Sequence, residues 1–364
     1  PTVPYVWPAV GSTLQFYKDP KLFAMTSTLN HGRSFRAHLH GRLTTVVGAK
    51  NAADVLRNPN MSFLASKFKY IGPNFLFPTK SIIFPKAIIA EIVKKHLTPN
   101  LDIYGPRSYK KVSYDYSYVA ENLLPFVRDM VSRSNATAFI GPAASQREDL
   151  IHTFKTCANE IAVEQKPSLV RLIFPFINSL YIRLLRPQST KIAQHKQNIR
   201  NAIVAELDNK NKMKELGLES EEKYLIDYVL ETYPYEVNDD YIDSLTYVIT
   251  MFIFVGIHTT AEAANQVLYR LMLHNEYIEE LLQEQEDIFS GQPDAEFVPA
   301  LSKKMVKLDS FIREVLRCRS DSLGLLHKHI GTDDLELSPG VVIHPGTNVF
   351  NICTPPQNLK YFSI

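Results

Sequence analysis

The sequence predicts a mainly α fold with a small β part, and three observations carry that expectation. Residues 238–274 contain no Pro and no turn cluster between a candidate N-cap, Asn238, and His274. Such a stretch allows one helix of about 35 residues, some 50 Å long. Gly is scarce, at 14 of 364 residues, while hydrophobic residues reach 45%, a balance that suits helices around an ample core. Strand-like runs gather only near the two ends, at 34–47 and 324–351.

Taken in order, Pro1-Thr-Val-Pro-Tyr-Val-Trp-Pro is too rich in Pro for a helix. Pro20–Leu29 reads as a helix ended by Gly32, and Ser34–Leu39 with Arg42–Val47 reads as a hairpin around His40-Gly41. Asn51 is expected to cap a short helix to Leu56. Residues 61–84 carry Phe63, Phe68, Tyr70, Phe75, Phe77 and Phe84 without regular spacing and read as an apolar, irregular loop. A loop of that kind needs a cover, or itself covers a ligand.

Ile88–Leu97 reads as a helix closed by Thr98-Pro99, residues 104–118 as partly irregular, and Ala120–Ile140 as a helix ended by Gly141-Pro142. Helices are expected at about 143–163, 167–186 and 188–212, with a kink at Pro175 and a break at Pro187. Glu215–Lys223 reads as a charged surface linker. Asn275–Ile288 is amphipathic and acidic, and Gly291-Gln-Pro marks its exit.

A net charge of +2 without a basic tract argues against a nucleic-acid partner. Cys157, Cys318 and Cys353 show neither metal-ligand nor disulfide spacing, which suits a reducing compartment.

Two stretches bear on function. In the long helix Val248, Ile249, Met251, Phe252, Ile253, Phe254 and Val255 point in every direction, so other helices are expected to bury it. The uninterrupted apolar run is too short to cross a bilayer. Gly256 follows in mid-helix, where it costs about 1 kcal/mol against Ala. His258, Thr259 and Thr260 come directly after it. One reading is a helix crossing, with the Thr hydroxyls bonded to the preceding turn; the other is a surface that a ligand approaches closely. Downstream, Glu314 and Arg317 lie three apart on a helix beside Leu308, Phe311, Ile312 and Leu316.

In this order Gly256-Ile-His-Thr-Thr, Glu314-x-x-Arg317, Gly324-Leu-Leu-His-Lys-His and Val341–Asn351 resemble the cytochrome P-450 haem-thiolate monooxygenases. The first of these segments is most similar to fungal members that oxidise terpenoids and other secondary metabolites. The resemblance runs from about residue 5 to the end and is strongest over 241–351. It implies an α-rich P-450-like fold, C-terminally shortened, in one domain over 1–364. That domain would hold a β-containing part at about 1–60, a helical body at about 84–320 and a β segment at about 325–353.

It further implies that loop 61–84 roofs a cavity for an apolar small molecule. Tyr70, Phe75, Phe77, Phe252, Val255, Gly256, Leu323, Leu325 and Leu326 would line that cavity, and His258, Thr259 and Thr260 would serve the chemistry. Glu314 and Arg317 would form a buried structural ion pair. Family members of this type also carry an N-terminal anchor, which implies membrane association and a cytoplasmic location on the face of the endoplasmic reticulum.

The sequence departs from the family pattern in several places. The family's Phe-x-x-Gly-x-x-x-Cys-x-Gly loop, source of the haem thiolate, is absent; 47 residues follow Arg317, and Cys353 sits in Asn-Ile-Cys-Thr-Pro-Pro. The only Trp is Trp7, and the helix that usually binds a haem propionate offers Lys86, Lys94, Lys95 and His96. His329 stands near the place of a second propionate-binding Arg, and His258 stands where an acid is common.

Two explanations follow: an oxygenase represented without its haem-binding segment, or a haem-free descendant that keeps the cavity and uses no cofactor or metal. The second predicts a cofactor-independent cyclase, with an intramolecular [4+2] cycloaddition (a Diels-Alderase) of a terpenoid or polyketide as the expected reaction. Orientation alone contributes up to about 7–11 kcal/mol in favourable intramolecular reactions, and His258, Thr259 or Thr260 would polarise a carbonyl. A non-catalytic binding or partner protein is the third expectation.

Overall fold

The computed structural model describes the chain apart from residues 6, 8, 9, 40, 68–81, 86, 87, 113–121, 166, 167, 169, 172, 173, 185–189, 219–221, 290–298, 319–323, 339 and 353–364. Two compact units divide the chain. The first comprises residues 1–75, 165–187 and 317–364, the second 76–164 and 188–316.

The first unit holds all the strands of the described residues. β1 (Ser34–Leu39) and β2 (Arg42–Val47) form the expected hairpin, with Gly41 at φ 70°, where a side chain would be strained. β3 (Met61–Ser62), β4 (Gly324–His329) and β7 (Asn348–Ile352) complete a five-stranded sheet of order β1-β2-β7-β4-β3. Its one parallel pairing aligns Thr44–Val47 with Asn348–Asn351, so residues some 300 positions apart share a ladder. β5 (Leu335–Ser338) and β6 (Val341–Ile343) pair separately.

Alternation along β1 turns Phe35, Ala37 and Leu39 onto Phe23, Val46 and Ile352, while Val47, Val55, Met61, Ile343 and Val349 form a second cluster. The Pro20–His31 helix starts where Asp19 accepts a hydrogen bond from Leu22 N at 2.9 Å, and it stops at Gly32, whose φ is 88°.

Helices make up the second unit, and the longest is Asp239–Leu273, 35 residues. Asn238 caps it, its side-chain oxygen accepting from Tyr241 N at 3.0 Å, with Asp239 and Asp240 in the first turn. Tyr241, Leu245, Val248 and Phe252 follow one helical stripe and Ile249, Ile253 and Ile257 another; all seven are buried. At roughly 1.5–3 kcal/mol for each such side chain, these stripes are the main reason the helix is ordered. It packs on the Leu123–Phe139 and Thr190–Glu215 helices. Arg200 and Lys196 of the latter reach Asp243 at 2.6 and 3.3 Å. By length and composition the long helix is apolar enough to cross a membrane, but 56% of its apolar window is buried inside the fold, as in a core helix.

Several expectations need correction. Gly48, not Asn51, is the N-cap of the Ala49–Arg57 helix, and Asn51 instead donates to Ser34 Oγ at 3.3 Å. Residues 61–67 form β3 and a short helix, Phe63–Lys67, rather than irregular loop. Leu101–Val112 is helical in spite of Pro106, and Pro175 opens the Pro175–Leu184 helix rather than kinking a longer one.

Glu314 and Arg317 are not buried: both are exposed on Val306–Cys318, where Val315 is the residue that points inward. The apolar stripe of that helix runs through Phe311, Ile312 and Val315. Charges three apart beside it stay hydrated and avoid the desolvation cost of a buried pair.

Candidate functional site on the long helix

Two sides of the Asp239–Leu273 helix part company between Phe252 and Thr260. Phe252 is buried, with its ring 5.6 Å from that of Phe139, and Ile253, Ile257 and Ala261 are buried with it. Val255, Thr259 and Thr260 are exposed, Val255 at 55%. The stretch is therefore not enclosed all round: Phe252, Gly256 and Thr259 follow one face at i, i+4 and i+7, and that face passes from covered at Phe252 to open at Thr259.

A Cβ built on Gly256 meets nothing within 4 Å. Among the described residues no neighbouring helix occupies the space, so none of them makes a helix crossing at this glycine. What it leaves is a bare strip of backbone, flanked by Val255, Thr259 and Thr260, that a flat apolar molecule could approach closely. Thr259 Oγ1 donates to Val255 O at 2.6 Å, which commits its proton to the preceding turn and leaves the oxygen as an acceptor.

His258 lies on a different side and is half-buried. Its Nδ1 is 3.5 Å from Nη2 of Arg128, and the same Nη2 donates to Glu262 Oε1 at 2.7 Å. Arg128 belongs to the Leu123–Phe139 helix, so this cluster ties the two helices together beside the open strip.

Leu325 and Leu326 lie on β4 in the first unit, and the Leu326 carbonyl accepts from Ser66 Oγ at 2.6 Å. Tyr70, Phe75, Phe77 and Leu323 lie outside the described residues. Among the described residues no group of three His, Cys, Asp or Glu side chains is placed to hold a metal ion.

A family model for cytochrome P450 matches residues 126–363, well over half the chain. The chain belongs to the cytochrome P450 family. Among similar proteins is cytochrome P450 monooxygenase 151 of Postia placenta, 22% identical over 358 residues, which take in 92% of this chain and 68% of that one. Cytochrome P450 monooxygenase hepE of Aspergillus oryzae is 25% identical over 84% of this chain and 57% of its own length. Cytochrome P450 monooxygenase AN1598 of Emericella nidulans reaches 36% identity over 111 residues, 30% of this chain and 20% of that one. The matched stretches thus span between 20% and 68% of the length of these fungal relatives. A retinoic acid-bound cyanobacterial CYP120A1 shares the fold, with a TM-score of 0.63 and 21% identity over 97% of this chain and 77% of that one.

Cytochrome P450 proteins normally hold a haem, and the residues described here meet that need unevenly. The open strip at Gly256 would admit a flat ring. His329, 1% exposed, has an Nδ1 with no hydrogen-bond partner among the described residues, as a group awaiting an anionic partner would. The described cysteines do not fit as axial ligands. Cys157 is packed inside Glu148–Gln165, where burial and then the Glu160 carboxylate push its thiol up to about 12, far from a thiolate. Cys318 ends the Val306–Cys318 helix, with Arg317 Nη2 3.4 Å from its sulfur.

Lys95 and His96, in the place of the propionate-binding pair, are engaged within the helical unit. Lys95 pairs with Glu91 at 2.5 Å, while His96 contacts Thr232 Oγ1 at 3.1 Å and stacks on Tyr228. The described residues therefore do not by themselves fit a haem iron.

Proposed function

We propose that this chain binds an apolar small molecule against the Val255, Gly256, Thr259 and Thr260 strip and takes part in monooxygenation within fungal secondary metabolism. The observation that carries the reading is the open space over Gly256 inside the stretch matched by the family. The names of the fungal relatives support the reaction class. Val255 supplies apolar contact, the Thr259 oxygen and the Thr260 hydroxyl are the polar groups on the same strip, and His258 borders it. Apolar walls with few polar groups are the usual make-up of a small-molecule site.

The environments of Cys157 and Cys318, neither suited to a thiolate ligand, motivate a second reading. If no thiolate reaches an iron, the same strip serves a haem-free cyclase that holds a flexible terpenoid or polyketide near its ring-closing geometry, with an intramolecular [4+2] cycloaddition as the reaction. An absorption spectrum of the purified chain separates the two. A Soret band that shifts to the red in the thiolate manner under reduction with carbon monoxide supports monooxygenation. Ring closure of a bound substrate by a chain without that band supports the cyclase.

A further inference from the structure

We infer that Arg128 is a positioning residue for His258, holding the imidazole in the form that carries its proton on Nε2. The inference rests on the reading of the long helix as a ligand-binding wall only for its functional meaning; the geometry stands apart from it.

A guanidinium donates five hydrogen bonds and accepts none. Arg128 Nη2 lies 2.7 Å from Glu262 Oε1 and 3.5 Å from His258 Nδ1, so Nδ1 must present a lone pair. The ring proton then resides on Nε2. A ring with its proton on Nδ1 would set one donor against another. Glu262 lies one helical turn after His258 on the same helix, so the carboxylate and Nδ1 share the guanidinium from adjacent turns. The carboxylate fixes the guanidinium, and the guanidinium in turn fixes the ring.

Arg128 Nε is buried and has no hydrogen-bond partner among the described residues, although each such donor carries a desolvation cost. As a consequence of the Nη2 contacts, His258 carries an N–H donor on Nε2, suited to polarising an oxygen that reaches it, rather than a lone pair suited to taking a proton.

The test is nitrogen-15 NMR of the ligand-free chain with labelled histidine, His258 being assigned through H258N. The expected spectrum shows a pyridine-like Nδ1 and a pyrrole-like Nε2 at neutral pH. Arg128→Lys, which keeps a donor, retains that pattern, whereas Arg128→Met gives a mixture of both tautomers. A wild-type ring protonated on Nδ1 overturns the inference even if neither variant folds, and so does a folded Arg128→Met chain with an unchanged pattern. Because no ligand is present, failure of the binding-wall reading shows separately, as an intact Nε2–H tautomer in a chain that does not bind farnesol.

Discussion

Phe252 and Phe139 face each other across two helices with ring centroids 5.6 Å apart and planes inclined at 49°, and this contact covers the first part of the face that Gly256 and Thr259 continue. One and two turns beyond it that face opens, with Thr259 and the neighbouring Val255 exposed. The contact belongs to the core, so its loss should be felt as lost stability. Phe252→Ala is expected to cost about 3–5 kcal/mol, the range for emptying a buried aromatic site. Val255→Ala, on the exposed side, should stay within about 0.5 kcal/mol. Denaturant unfolding of both variants checks this, and equal losses would mean that the two sides are not distinct.

Glu206 gives a prediction in pH. It is 7% exposed, and a Cβ on Gly141 would come within 2.9 Å of its carboxyl group. Burial raises its pKa, with nearby Lys210 lowering it and Asp227 raising it again. A carboxyl whose pKa is higher folded than unfolded imposes no penalty below the ordinary carboxylate range. The penalty grows as pH rises through the raised value and is constant above it. Glu206→Gln should therefore melt higher than the wild type at neutral pH, with the gap closing in acid. A variant that melts lower at neutral pH would show that the carboxylate is held favourably.

Cysteine chemistry offers a direct probe of the helical core. Cys157 is buried and its thiol is pushed up to about 12, whereas Cys318 is half-buried at a helix end. Reaction follows thiolate content and access, so iodoacetamide should label Cys318 first and Cys157 only as the chain unfolds. Peptide mass spectrometry reads both. Equal rates under native conditions would contradict the packing around Cys157.

Much of the fold was legible because its limits are set locally. Asn238 and the absence of breakers gave the long helix its bounds, and the alternation around Gly41 gave the hairpin. Pro106 and Pro175 misled because tertiary packing tolerates the one, and the other opens a helix, where a missing N–H costs nothing. The exposure of Glu314 and Arg317 was misjudged because three-residue spacing says that two side chains are neighbours, not which way their shared face looks.

Arg128 was invisible for a different reason. Its partner His258 is 130 positions away, and no periodic pattern links them. The helix carries two guanidiniums, Arg128 and Arg133, and nothing in the local sequence marks the first as the one that reaches His258.

If the strip over Gly256 receives an apolar ligand, Gly256→Leu should block it. Leu is the better helix former and finds open space at this position, so the variant should fold with unchanged helical circular dichroism. Titration calorimetry with farnesol, a sesquiterpene alcohol, would compare it with the wild type. The account predicts binding weakened at least about tenfold, a loss of about 1.4 kcal/mol or more, because the leucine side chain fills the approach. A variant that binds farnesol as well as the wild type, or one that fails to fold because the position is packed after all, would contradict it.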